Sequence, residues 1–108
     1  MTAREPAAPA LGAWLDQHSA RAPDALRRRV VEYAKAAPPD LGIAAALACA
    51  GGAALRRVLA VPGDRSVALD LLAADALVTL ALLAQAEHAP ADLGRFAADI
   101  LLAHRPGA

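Results

Sequence analysis

Apolar residues recur at helical spacing along most of the chain. Leu11, Trp14, Leu15 and His18 fall about one turn apart and predict a first helix from about Ala10 to Ala20. Residues 1–9 are rich in Pro and Ala and read as a flexible arm, leaving 10–105 as a single domain. A second helix is predicted from Pro23, a favourable first-turn residue, to about Ala37. Its stripe is Leu26, Val30, Tyr33 and Ala37, with Val31 and Ala34 at the edge and an Arg28–Glu32 pair on the solvent side. Pro38-Pro39 ends it, because proline lacks the amide donor and restricts the residue before it.

By the same first-turn logic a third helix runs from Pro39-Asp40 to about Ala60. Pro62-Gly63-Asp64 is a turn, and Asp64 or Ser66 can cap a fourth helix from about Ser66 to Glu87. So short a connector folds the third and fourth helices into an antiparallel hairpin. A last helix, about Ala91 to His104, turns Leu93, Phe96, Ala97, Ile100, Leu101 and His104 to one side. The polar residues of the fourth helix (Asp70, Asp75, Thr79, Gln85) share no single face, which predicts a central position in a bundle. The fold class expected is all-α: a small Ala-rich helical bundle of about five helices around a central antiparallel hairpin.

Composition agrees with that pattern. Ala fills 32 of 108 positions and Leu 17, whereas Val and Ile together reach 8. This mixture favours helix over strand. An Ala core contributes little per side chain but lets helix backbones approach closely. Ala44, Ala48 and Gly52 form a small-residue ridge, and Ala45, Cys49 and Ala53 a second. Gly51-Gly52 in mid-helix costs about 1 kcal/mol per Gly relative to Ala. Close packing, a bend, or a ligand against bare backbone would each account for them. The candidate interface is Ala44, Ala48, Gly51 and Gly52.

A membrane hairpin is the competing reading of the two apolar helices. Leu41 to Leu55 carries no charge but is short for a span, and Val67 to Ala86 contains Asp70 and Asp75. A soluble, cytoplasmic protein is expected instead, and no signal-peptide pattern is read from MTAREPAAPALGAW.

Charge and chemistry narrow the function. The 11 basic and 11 acidic residues cancel, and no aromatics interleave with Arg27-Arg28-Arg29, so nucleic acid is not an expected partner. Residues 1–61 carry 8 basic and 5 acidic groups and residues 62–108 carry 3 and 6, a dipolar division. His18, His88 and His104 form no His-x-x-x-His pair and read as helix-end residues, with His104 returning to the level of Ser66 and Asp70. No catalytic set, metal site or cofactor motif is read, and Cys49 reads as a core thiol. Asp70 and Asp75 are the candidate buried polar residues; within an apolar helix each needs a partner, such as Arg56 or Arg57 for Asp70. The function expected is a non-enzymatic protein–protein interaction or assembly module, homodimeric and binding a further, unidentified protein. The alternative is a binding protein for a small apolar ligand in the bundle interior.

Overall fold

Proline, glycine and capping aspartate set most of the helix boundaries. In the computed structural model, which describes residues 7–61 and 63–104, five helices follow one another: α1 (Ala7–His18), α2 (Asp24–Lys35), α3 (Ile43–Ala60), α4 (Ala68–His88) and α5 (Leu93–Ala103). No strand occurs among these residues. The architecture is the expected all-α bundle.

Helix α1 starts at Ala7, three residues before the expected boundary; residues 1–6 of the anticipated arm lie outside the described residues. Pro23 flanks α2 and its carbonyl accepts from the Arg27 amide at 2.9 Å. The largest boundary error is at α3, which begins at Ile43 rather than Pro39. A separate turn, closed by Leu41 N donating to Pro38 O, fills the gap, and Gly42 is extended (ψ 169°) before the helix starts. Between α3 and α4, Gly63 has φ +83°, a conformation that favours glycine. The Asp64 carboxylate then accepts from the Ser66 amide at 2.9 Å, capping a 3₁₀ turn at Arg65–Val67 that leads into α4. A second 3₁₀ turn, Pro90–Asp92, leads into α5.

The antiparallel α3–α4 hairpin is the centre of the fold. Arg57 approaches Asp70 near the turn, and Gly42–Ala45 share a cleft with Ala84–His88 at the far end. Small residues line the seam: Ala46, Ala50 and Ala54 of α3 are buried, as are Ala73, Ala74, Ala81 and Ala84 of α4. Leu47 and Leu77 fill the space that remains, each 0% exposed. Burial of a Leu contributes about 1.5–3 kcal/mol, so these two weigh heavily in a core otherwise built of methyl groups. Val30 and Ala34 of α2 and Leu11 and Leu15 of α1 close one side. Helix α5 lies on the surface with no buried residue, and its Leu101, expected on the inner face, is exposed.

Helix α4 is central, as its pattern predicts, but it is not enclosed on all sides. Leu71, Leu72 and Leu83 are 52%, 55% and 42% exposed. The inner face carries alanines and the outer face carries leucines.

Candidate functional site

Asp70 lies in the first turn of α4, where a negative charge suits the helix dipole. It is 1% exposed, as anticipated for a carboxylate in an apolar helix. Arg29 Nη1 donates to Oδ1 at 2.6 Å and the Tyr33 hydroxyl donates to the same oxygen at 2.7 Å. Arg57 Nε stands 3.5 Å from Oδ2. Three helices therefore meet on one carboxylate. Burial pushes the Asp70 carboxyl up, but the Tyr33 and Arg29 hydrogen bonds and the charges of Arg29 and Arg57 outweigh it. The net effect holds the group below the usual carboxylate range. Tyr33 moves the other way: burial and its bond to Asp70 raise it. Arg29 is raised by its own hydrogen bond to Asp70.

Arg57 is one of the two partners foreseen; Arg29 is not, because it lies 41 residues away on another helix. Arg29 also pairs with Glu32 at 3.1 Å, which replaces the expected Arg28–Glu32 pair. Every buried polar side-chain atom among the described residues has a partner. The network is charge-balanced and closed, and it ties α2 to the hairpin instead of presenting a vacant site.

Asp75 corrects the second half of that expectation. It is exposed, because five residues along a helix turn it well away from Asp70. It lies on the outer face near Thr79, and both border a shallow cleft shared with Leu26 and Arg27.

The small-residue ridge also faces differently. Gly51 is buried, and a Cβ added there would sit 3.0 Å from Val78 Cγ2 and 3.4 Å from the Val78 amide nitrogen. Gly52 is buried too; its added Cβ would come within 2.6 Å of the His104 ring. Gly51 thus serves close packing between α3 and α4, and Gly52 lies beneath the His104 side chain, in a helix that is continuous from Ile43 to Ala60. Ala44 and Ala48 are partly buried against the same core. The four residues do not form a free external surface. His104 sits at Gly52 instead of at the level of Asp70 because α5 ends earlier along the hairpin. Cys49 is exposed, not a core thiol, on a groove between α3 and α5 shared with Arg56, Asp99 and His104.

A second polar cluster fixes α1. The Trp14 and His18 rings stack, with centroids 3.9 Å apart and planes 14° from parallel. The Glu87 carboxylate of α4 accepts from Trp14 Nε1 at 3.0 Å and lies 3.4 Å from His18 Nε2. His18 Nδ1 is 2.9 Å from the Trp14 carbonyl oxygen. The i,i+4 spacing of Trp14 and His18 was the available signal; nothing local pointed to Glu87.

The described clefts open to solvent. One of about 440 Å³ lies between α1, α2 and the approach to α3, with Leu11, Leu15, Val31, Ala34 and Pro38 among its walls. Another of about 590 Å³ lies at the start of α3, beside Trp14, His88 and Phe96. Among the described residues no group of three or more His, Cys, Asp or Glu is placed to hold a metal. Ile43–Ala60 and Arg65–His88 are each long and apolar enough to cross a membrane by length and composition. Comparisons with protein-family models, curated proteins and solved structures find no match to this chain.

Proposed function

We propose that this chain is a soluble, non-enzymatic assembly module that pairs with itself through the outer face of α4 and also docks a further protein. The observation that carries this reading is the inversion of side-chain size across that helix. Leu71, Leu72 and Leu83 are exposed, while alanines occupy most of the buried positions. Several large apolar side chains exposed on one side of a helix suit an interaction surface. The balanced 11 basic and 11 acidic residues impose no general repulsion between copies.

A water-filled compartment suits the chain better than a bilayer. The inner face of α4 is engaged by α2 through Asp70, and its outer face carries Asp75. A charged residue at the middle of a span costs about 2.5–3.5 kcal/mol. The free, exposed Cys49 suits a reducing cytoplasm.

Light scattering coupled to size exclusion tests the proposal. A mass of twice 11.0 kDa at micromolar concentration is the expected result; a constant 11.0 kDa would remove self-association. A second reading has one observation in its favour. The cleft of about 440 Å³ has an apolar wall of Leu11, Leu15, Val31 and Ala34 and falls within the size range of small-ligand sites. In that case native mass spectrometry of the purified chain would carry a bound apolar molecule.

A further inference from the structure

The outer face of α4 reads nearly the same in both directions. About the level of Leu77, Leu71-Leu72 on one side answers Leu82-Leu83 on the other, and Asp75 answers Thr79. Leu71 and Leu82 are eleven residues apart, about three turns, so they lie on one edge of the face. Leu72 and Leu83 have the same separation and lie on the other edge. Asp75 and Thr79 run between the two edges. Leu71, Leu72, Asp75, Thr79 and Leu83 are exposed and Leu82 is half-buried.

This arrangement is what a two-fold axis requires. When a helix is rotated by a half-turn onto itself, each edge meets its own reversed copy. An isologous contact must then be complementary to itself. Here Leu71 would meet Leu82 of the second copy, and Leu72 would meet Leu83. Asp75 accepts hydrogen bonds only, and Thr79 carries a hydroxyl that can donate. Opposed across the axis, they satisfy each other twice. A register slip of one turn would set Asp75 against Asp75 or against leucine.

We infer that two copies of this chain pair through antiparallel α4 helices, on a two-fold axis at the level of Leu77, with reciprocal Asp75–Thr79 hydrogen bonds between two leucine edges. This inference rests on the self-association proposed above and specifies its face and register. The polar pair at the centre acts as a register key, as single polar residues do in coiled-coil seams. With helix axes about 8–10 Å apart, residues 75 and 79 of opposite copies stand level. Residue 75 of one copy is displaced about 6 Å along the axis from residue 75 of the other.

Cysteine pairing reads that difference. In a Cys49→Ser background, Asp75→Cys chains are mixed with Thr79→Cys chains and oxidised under mild conditions. The mixed 75–79 disulfide should be the major dimer band, and each homodisulfide a minor one. In parallel, the Cys49→Ser chain and its Leu72→Glu variant are weighed by light scattering, with circular dichroism confirming that helix content is kept. The expected masses are twice 11.0 kDa for the first and 11.0 kDa for the second. If the Cys49→Ser chain and the unsubstituted chain both stay at 11.0 kDa, self-association itself fails and α4 is left to a different partner. If the dimer forms but survives Leu72→Glu, or homodisulfides prevail, self-association stands and the two-fold α4 seam is overturned.

Discussion

The two faces of α4 have the same backbone, and many of their residues are apolar, yet they do opposite things. Inward, Ala73, Ala74, Ala81 and Ala84 let α3 come so close that a methyl group at Gly51 would press on Val78 at 3.0 Å. Outward, Leu71, Leu72 and Leu83 stand in solvent. The two aspartates repeat the contrast: Asp70 is enclosed by Arg29, Tyr33 and Arg57, and Asp75 is open. Hydrophobicity alone therefore does not identify the core of this protein. Along the α3–α4 seam side-chain size matters as well, because the closest helix contact selects small residues, with Leu47 and Leu77 filling the space between them.

Substitution can break that contrast. The largest effect is expected at Leu77, fully enclosed among alanines that cannot collapse into a void. Leu77→Ala should cost about 2–5 kcal/mol in chemical denaturation. A cost as small as that of an outer-face leucine would show that the inner face is not the core. Asp70→Ala comes next, at about 3 kcal/mol. It falls at the low end for a broken buried pair because Arg29 keeps Glu32 and part of its hydration. Tyr33→Phe should lose about 1.5 kcal/mol, the weight of one hydrogen bond to a charged acceptor.

The pH dependence sharpens the same point. Asp70 is held below its ordinary range, so its contribution is complete above the unfolded value of about 4 and fades as pH falls through the folded value. The stability difference between the parent and Asp70→Asn should be flat from about pH 8 to 5 and shrink below about pH 4. A gap that widened in acid would contradict the assignment of charge to this carboxyl. The smallest effects belong to the outer face. At concentrations too low for pairing, Leu72→Ala and Asp75→Ala should each change stability by no more than about 0.5 kcal/mol. A larger loss at Leu72 in the monomer would place that side chain in the core after all.

Much of the secondary structure was legible in the sequence, because helix periodicity and Pro and Gly punctuation act locally. Even the buried carboxylate at Asp70 announced itself by its apolar neighbours. What could not be read was direction. Asp70 and Asp75 look alike along the chain, and only the placement of α2 makes one internal. Gly51 and Gly52 were recognisable as points of close approach, but a ridge does not say whether its partner is the same chain or another. Arg29 and Glu87 acquire their roles from contacts many tens of residues away, with Asp70 in one case and with Trp14 and His18 in the other. Cys49 misled because its neighbours in sequence are apolar while its side of α3 is exposed. The α3 start was missed because a turn from Pro38 to Leu41 imitates the first residues of a helix.

The alanine seam also limits how this protein can change. An alanine has no side-chain rotamers to lose on burial, so the seam forms without the ordering cost that larger residues carry. For the same reason it has no rotamers to rearrange when a neighbour is altered. A core of Leu, Ile and Met can absorb a substitution by repacking. Ala46, Ala50, Ala54, Ala73 and Ala81 can respond only by moving whole helices apart. The alanine seam is therefore the inflexible part of the interior, where even one added methyl group must be answered by a movement of backbone.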